Sequence, residues 1–317
     1  MKKALLDVIQ CPKCRSSLMK KKDVLTCKKC KCSFDVKEVP LLYYNPDVTL
    51  QEKVRAMFNE TPYGLVGAKQ VLKNRKKITA ESLKEEPWCI PFEVKGKKIL
   101  DAGCGGGNLV SRIKLLGGNA YGLDQTRGSL KQIKENFEKY NEEPPHLIEG
   151  NIEYIPLKNN TFDAINCHGV LHHSNDMNRG FSELTRVLKK GGTLYFMLYH
   201  KNCLWKYVKD VLRFGARRSK LFFNLIVKLT PHWMGTTAKQ SDPRTVFRDN
   251  IVNAITDTVT VKDVKKICKA NGLKIKNIRI CEIPSLYGFG KRVYDSKWLQ
   301  WYARRFGWLL YVEAVKE

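Results

Sequence analysis

The sequence predicts an α/β protein with a doubly wound parallel sheet, preceded by a small cysteine-rich unit. Between residues 97 and 199, short apolar runs alternate with amphipathic segments, which is typical of strands that alternate with helices. Five of the 11 cysteines lie between residues 11 and 32, and the others are scattered. The 317-residue chain is long enough for one large domain of about 200 residues with appendages.

The elements of the large domain follow from hydrophobic periodicity and from glycine-rich turns. Strands are predicted at 97–101, 120–123, 146–149, 162–167 and 192–199, and helices at 108–116, 129–140 and 177–188. A basic, aromatic segment at 203–229 is predicted to be helical. A helix at 261–270 and strands at 273–281 and 308–315 complete the domain.

Three units are expected along the chain. Residues 1–46 form the cysteine-rich unit, whose final apolar run at 39–44 is predicted to be an edge strand that closes it. Residues 47–96 form a helical linker, with one or two helices between 50 and 79. Residues 97–317 form the large domain, with a helical, basic insertion at about 201–260.

The net charge of +26 is concentrated outside the centre of the large domain. Residues 97–200 carry 13 basic and 11 acidic side chains, whereas residues 201–317 carry 24 and nine. This excess favours an anionic partner such as nucleic acid, anionic lipid or a phosphorylated metabolite, although a lysine-rich solvated surface explains it equally well. No apolar run approaches the roughly 18 residues of a membrane span, so a cytoplasmic protein with reduced thiols is expected.

A glycine-rich turn follows the first predicted strand of the large domain, in the run 99–108. Glycines are needed where the backbone closes on a ligand, and the helix that follows offers free N–H donors at its first turn. Asp124 stands at the end of the next strand, about twenty residues further on, where a carboxylate can accept hydrogen bonds from ribose hydroxyls. The pair predicts a site for a nucleoside cofactor.

The pattern Asp-x-Gly-x-Gly-x-Gly at 101–107 resembles the cofactor loop of class I S-adenosylmethionine (SAM) methyltransferases of the ubiquinone/menaquinone-methylase-like type. Ordered motifs at 150–157, 160–165, 167–173 and 188–194 extend the resemblance. It implies a Rossmann-like fold that binds SAM. Asn151 replaces the aspartate usual in the family, and its amide oxygen can still accept from the adenine amino group. The implied SAM contacts are Asp101, Gly103, Cys104, Gly105, Gly107, Asp124, Gln125, Asn151, Ile152 and Cys167.

The segment 167–173 resembles the part of the family that faces the methionine end of SAM and the substrate. His172 and His173 are therefore the candidate general bases, because a neutral imidazole accepts a proton near pH 7. A histidine pair at this place can equally orient SAM or cap a helix.

Two C-x2-C pairs, Cys11 with Cys14 and Cys27 with Cys30, predict a tetrahedral zinc site with a structural role. Cys32 is a spare or substitute ligand beside Cys30. The segment resembles the small zinc-ribbon subunit that activates several tRNA and translation-factor methyltransferases. A zinc-bearing N-terminus on a class I core is also similar to the layout of the 23S rRNA guanine-N1 methyltransferases, which favours RNA as a partner.

The segment 203–233 interleaves aromatic and basic residues. Such a segment can stack bases and neutralise phosphates, lie on an anionic membrane and shelter a lipid substrate, or pack on the core as a lid. The expected function is SAM-dependent methylation, on oxygen or carbon, of a small-molecule or lipid-linked acceptor. Methylation of a tRNA or rRNA base is one alternative, and a SAM-binding zinc-ribbon scaffold without catalysis is another.

Overall fold

The computed structural model describes residues 3–46, 52, 55–56, 67–84, 90, 93–233, 256–281 and 297–317. These residues contain a three-stranded sheet near the N-terminus and a seven-stranded sheet in the large domain. The strands of the small sheet are β1 (Leu18–Lys21), β2 (Val24–Cys27) and β3 (Ser33–Asp35). Those of the large sheet are β4 (Lys98–Ala102), β5 (Asn119–Asp124), β6 (His146–Glu149), β7 (Phe162–His168), β8 (Leu188–Tyr199), β9 (Leu273–Cys281) and β10 (Leu309–Lys316).

The strand order of the large sheet is β6-β5-β4-β7-β8-β10-β9, which confirms the predicted α/β, doubly wound architecture. The first five strands in this order pair in parallel, whereas β10 runs antiparallel to both β8 and β9. Leu309 at the start of β10 lies opposite Tyr199 and Cys281, the last residues of its two neighbours. The chain therefore enters β10 at the carboxyl edge of the sheet and must run back, which makes the sheet mixed.

Helices cover both faces of the large sheet. Their bounds differ from the predicted ones by at most two residues in the segments 97–199 and 261–270. They are α1 (Lys3–Leu6), α2 (Gly67–Lys73), α3 (Glu81–Lys84), α4 (Asn108–Leu115), α5 (Arg127–Lys139), α6 (Met177–Val187), α7 (Leu204–Arg218), α8 (Lys220–Trp233), α9 (Val261–Ala270) and α10 (Lys297–Phe306). Of the linker helices predicted between 50 and 79, α2 is described, and most of residues 47–66 lies outside the described ranges.

Two apolar clusters form the core, one on each face of the large sheet. Residues alternate between them along β8, since Tyr195 and Met197 join one cluster and Phe196 and Leu198 join the other. The alternation follows from the two-residue period of a strand. The cluster of Phe196 also contains Ile9 and other apolar residues of the N-terminal unit. That unit therefore shares a hydrophobic core with the large domain.

The N-terminal unit is joined to the large domain by backbone and side-chain contacts. The N–H of Gln10 donates to the carbonyl of Pro156 (2.9 Å), and the N–H of Lys158 donates to the carbonyl of Val8 (2.8 Å). Arg15 forms an ion pair with Glu183 of α6 at 2.9 Å. These contacts lie beside the buried apolar surface and fix the orientation of the unit.

The apolar run at 39–44 does not close the small sheet, contrary to the prediction. It lies along β6, where the N–H of Leu42 donates to the carbonyl of Glu149 (2.9 Å) and the N–H of Glu149 donates to the carbonyl of Pro40 (3.0 Å). β6 is an edge strand, and its outward backbone groups need partners. The run satisfies them, which protects the edge of the large sheet.

The basic segment after β8 forms two helices, α7 and α8, which meet at Ser219. Leu212, Phe222 and Phe223 pack against the core, as a lid would, whereas Phe214 is 60% exposed. Within the described ranges, no helix combines the length and the apolar character that crossing a bilayer requires.

Candidate functional site

The glycine loop between β4 and α4 has a backbone that other residues adopt only with strain. Gly103, Gly105 and Gly107 all have positive φ angles, of 80°, 48° and 79°. A Cβ added to Gly103 would lie 2.1 Å from Cγ2 of Val170, in the segment after β7. The loop is thus closely packed on its inner side, and the first turn of α4 lies directly behind it.

Helix α2 packs against this loop. The N–H of Ala68 donates to the carbonyl of Gly106 at 2.8 Å, and a Cβ added to Gly67 would lie 2.9 Å from the same oxygen. Gly67 lies in the predicted linker, and no role was predicted for it. In the sequence, a glycine at the start of a helix indicates contact with the loop only weakly.

Asp124 lies at the carboxyl end of β5, beside the glycine loop. Its Oδ2 accepts a hydrogen bond from the N–H of Gly105 and its Oδ1 accepts one from the N–H of Thr126, both at 2.8 Å. Burial raises the pKa of Asp124, and these two hydrogen bonds act against that rise. The structure therefore brings the predicted carboxylate and the predicted loop into direct contact.

Asp101 lies beneath the loop. Its two oxygens accept from the N–H of Val110 (3.2 Å) and from the side-chain amide of Asn166 (2.9 Å), so the carboxyl group joins α4 to β7. Burial raises its pKa to about 7. Cys104 and Cys167 are also buried, and burial raises the pKa of each thiol. These three side chains support the loop from inside.

Asn151 and Ile152 follow β6 and begin a single turn of 3₁₀ helix. The Oδ1 of Asn151 accepts from the N–H of Glu153 (3.0 Å), and its amide group donates to the carbonyl of Tyr44 (3.2 Å). Asn151 is buried, with 1% of its surface exposed. The amide thus caps this turn and joins it to the end of the N-terminal unit.

Gln125 follows Asp124, and its carbonyl accepts from Nε of Arg55 at 3.2 Å. Arg55 also forms an ion pair of 2.6 Å with Glu149, which is 1% exposed at the end of β6. A guanidinium beside a buried carboxylate offsets the cost of removing that charge from water. Arg55 therefore connects the linker to the two strand ends that flank the predicted adenosine site.

His172 and His173 form one turn of 3₁₀ helix after β7, and both are buried. The ring of His172 lies 3.8 Å from that of Tyr199, which stacks on Trp308 at 4.3 Å. The carbonyl of His172 accepts from the N–H of Asp257 at 2.9 Å. The pair thus belongs to an aromatic cluster at the carboxyl edge of the sheet, where β8 ends and β10 begins.

His168 was not among the predicted site residues. Its Nε2 lies 3.1 Å from the hydroxyl of Tyr311, and the two residues flank Met197 across neighbouring strands. Burial lowers the pKa of His168 to about 4, so the imidazole is neutral at pH 7. Its place at the end of the fourth strand of the domain was a signal, but Tyr311 is 143 residues away and no local pattern connects them.

The four predicted zinc ligands lie together. The Sγ atoms of Cys11 and Cys30 are 3.5 Å apart, those of Cys14 and Cys27 are 3.4 Å apart, and all four fall within 4.8 Å of one another. A Zn–S distance of about 2.3 Å in a tetrahedron corresponds to sulfurs about 3.8 Å apart, so this donor set fits zinc. Cys32 is outside the group, and its carbonyl accepts from the N–H of Cys27 at 2.9 Å.

Residues 100–196 match the family model of a methyltransferase domain. An uncharacterised protein of Methanocaldococcus jannaschii is 35% identical over 133 residues, 41% of this chain and 49% of its own length. The ubiquinone biosynthesis O-methyltransferase of Thiobacillus denitrificans is 27% identical over 107 residues, 34% of this chain and 46% of its own length. The chain spans about half the length of the curated relatives it matches.

Two solved structures have a similar shape. One is the complex between the Haloferax volcanii Trm112 methyltransferase activator and a proposed methyltransferase, with a TM-score of 0.48, 16% identity and coverage of 83% of this chain and 96% of that one. The other is the magnesium protoporphyrin IX methyltransferase of Synechocystis with bound SAM, with a TM-score of 0.47, 15% identity and coverage of 86% and 100%.

Proposed function

We propose that this protein is a SAM-dependent methyltransferase that methylates an oxygen or a carbon of a small-molecule or lipid-linked acceptor. The observation that carries the proposal is the contact between the Asp124 carboxylate and the N–H of Gly105. This contact holds a carboxylate that can accept hydrogen bonds from ribose hydroxyls beside a glycine loop. Both residues lie inside the region that matches the methyltransferase domain. The O-methyltransferases among the relatives support oxygen as the atom.

The residues around the loop fit SAM. Gly103, Gly105 and Gly107 leave room for close approach of the ligand to the backbone, and Asp124 is the group for the ribose hydroxyls. Gln125, Asn151 and Ile152 lie on the two strand ends where the adenine would bind. Asp101, Cys104 and Cys167 hold the loop in shape from beneath.

SAM supplies an activated methyl group, so the protein must align the acceptor and remove its proton where the acceptor needs it. His172 and His173 are the candidate bases from sequence, and each must gain access to the acceptor because both are buried. We add His168 as a third candidate. The hydroxyl of Tyr311 fixes its orientation, and its imidazole is neutral at pH 7. Its lowered pKa, about 4, makes it a weaker base than an ordinary imidazole, so geometry alone supports this candidate.

We further propose that Cys11, Cys14, Cys27 and Cys30 hold a structural zinc ion. Four thiolates leave no open coordination position, which is the arrangement of structural rather than catalytic zinc. The ion would hold together a unit whose apolar residues are already shared with the large domain. Loss of the metal is therefore expected to expose the edge strand β6 and part of the core.

The test is calorimetric titration of SAM into the zinc-loaded protein, followed by incubation with labelled SAM and either a lipid extract or total RNA. Saturable binding with label in the lipid or small-molecule fraction supports the proposal. Label in RNA would instead establish the RNA-base alternative. Saturable SAM binding with no label in any fraction would favour the scaffold alternative. Absence of SAM binding would refute both the enzyme assignment and that alternative.

A further inference from the structure

Three helices expose apolar side chains that the core of the large domain does not use. On α7, Tyr207, Val211 and Phe214 recur at helical spacing on one face, and they are 64%, 71% and 60% exposed. On α8, Leu221 and Leu225 are 82% and 52% exposed. The two helices contact each other where Gly215 meets Phe222. Exposed apolar surface on neighbouring elements of a soluble protein often marks a site of interaction.

Helix α10 continues the pattern. Trp298 and Trp301 are 64% and 48% exposed, and Phe306 at its end is 40% exposed. The opposite side of the helix contacts β9 and so faces the sheet. We call the exposed apolar and basic side chains of these three helices the α7–α8–α10 face.

The charge of these helices is almost entirely positive. Their sequences hold ten basic residues, and Asp210 is the one acidic residue among them. Several cations lie over the exposed rings: Arg218 is 3.8 Å from the ring centre of Phe214, and Arg305 is 4.5 Å from that of Trp301. An occupant of this face must therefore be both anionic and able to take up apolar side chains.

The face adjoins the acceptor end of the candidate site. Helix α7 begins five residues after Tyr199, and α10 ends two residues before Trp308. The rings of Tyr199 and Trp308 stack at 4.3 Å, and His172 lies against Tyr199 at 3.8 Å. A surface bound to these helices would lie next to the place where the acceptor is expected.

We propose that the α7–α8–α10 face docks on an anionic lipid bilayer. The exposed aromatic side chains could serve either a bilayer or a nucleic acid. Aliphatic side chains such as Val211, Leu221 and Leu225 gain by entering the acyl boundary of a membrane and cannot stack on a base, so they favour the bilayer. Tryptophan is enriched at the interface between lipid and water, and the basic residues match anionic headgroups. This inference concerns attachment and does not depend on whether methyl transfer occurs.

The experiment is co-sedimentation of the full chain with vesicles of phosphatidylcholine alone or mixed with phosphatidylglycerol. The variant Val211→Ser/Phe214→Ser/Leu221→Ser removes exposed apolar groups and leaves the charge unchanged. The matched control is Met19→Ser/Val24→Ser, which removes exposed apolar groups from the N-terminal unit (49% and 42% exposed).

We expect the wild type and the control to bind the phosphatidylglycerol vesicles and the triple variant to bind them at least about tenfold more weakly. A second variant, Arg304→Gln/Arg305→Gln, should lose about fivefold for each charge and bind less in added salt. It keeps the apolar surface, so it tests the face even if the triple variant folds poorly.

Three results would overturn the proposal. The first is that the wild type sediments with neither kind of vesicle. The second is that the two face variants bind vesicles as well as the control does. The third is that the wild type binds total RNA through the face residues and does not bind vesicles. SAM titration of the same preparations separates this proposal from the preceding one, because the α7–α8–α10 face contributes no residue to the cofactor loop. Unchanged SAM affinity with lost vesicle binding is the expected combination.

Discussion

Replacement of Asp124 by asparagine tests the candidate cofactor site most directly. The carboxylate accepts one hydrogen bond from Gly105 and one from Thr126, and its charge is the group we assign to the ribose hydroxyls. Asparagine has nearly the same shape but has one acceptor oxygen and no charge. The variant should fold, while residue 124 loses one of its two hydrogen bonds from backbone N–H groups and the ribose loses its charged partner.

The expected loss follows from the strength of such contacts. A hydrogen bond to a charged group contributes about 1.5–3 kcal/mol, more than a neutral one. At about 1.36 kcal/mol for each tenfold change, Asp124→Asn should weaken SAM binding by about 10- to 150-fold. Wild-type affinity should also fall as the pH is lowered, because burial raises the pKa of Asp124 and protonation removes the charged acceptor. The variant should lack that pH dependence.

Isothermal titration of SAM at several pH values measures both effects, and Asp163→Asn is the matched control. Asp163 also accepts from a backbone N–H, that of Lys98 at 2.8 Å, and pairs with Lys189, but it lies near the amino edge of the sheet. The control should bind SAM as the wild type does. Equal affinity of wild type and Asp124→Asn would refute the assignment of Asp124, and equal losses in both variants would indicate a general loss of stability.

Three further outcomes are expected. Gly103→Ala should lower the free energy of unfolding by at least about 2 kcal/mol, because it combines a positive φ with a clash against Val170. Denaturant melts measure this loss, and part of the lost stability should return in Gly103→Ala/Val170→Ala. Cys14→Ser should abolish stoichiometric zinc by atomic absorption whereas Cys32→Ser should keep it, and zinc retained in the first variant would contradict the ligand set. Burial raises the pKa of Asp101 to about 7, so its contribution to stability is present at low pH and is lost as the pH rises towards that value. In denaturant melts between about pH 5 and 7.5, the free energy of unfolding should therefore fall less in Asp101→Asn than in the wild type. Equal slopes of that free energy against pH in the two proteins would contradict this.

The N-terminal unit does more than carry the cysteine cluster. Its C-terminal run pairs with the edge strand at Glu149, and the carbonyl of Tyr44 accepts from the amide of Asn151 in the candidate adenine loop. The unit therefore covers an open sheet edge and also holds a residue of the candidate adenine loop in place. We expect metal loss to affect SAM binding through this contact as well as through stability.

The sequence by itself determined the features that depend on local spacing. Strand and helix bounds from 97 to 199 follow from apolar periodicity, and the glycine loop follows from residues that are close in the chain. The two C-x2-C pairs also predict one donor set, because that spacing can bring two sulfurs of each pair within reach of the same metal ion. In these cases the physical cause lies within a few residues of the pattern, so the sequence was sufficient.

Only the tertiary structure decided the features that depend on distant pairing. The reversed direction of β10, the pairing of Leu42 with Glu149 and the contact between His168 and Tyr311 each join segments about a hundred or more residues apart. The burial of His172, in the turn after β7, likewise depends on Tyr199, which ends β8. No local periodicity encodes such contacts, because they arise when unsatisfied backbone edges and apolar surfaces find partners in the folded chain.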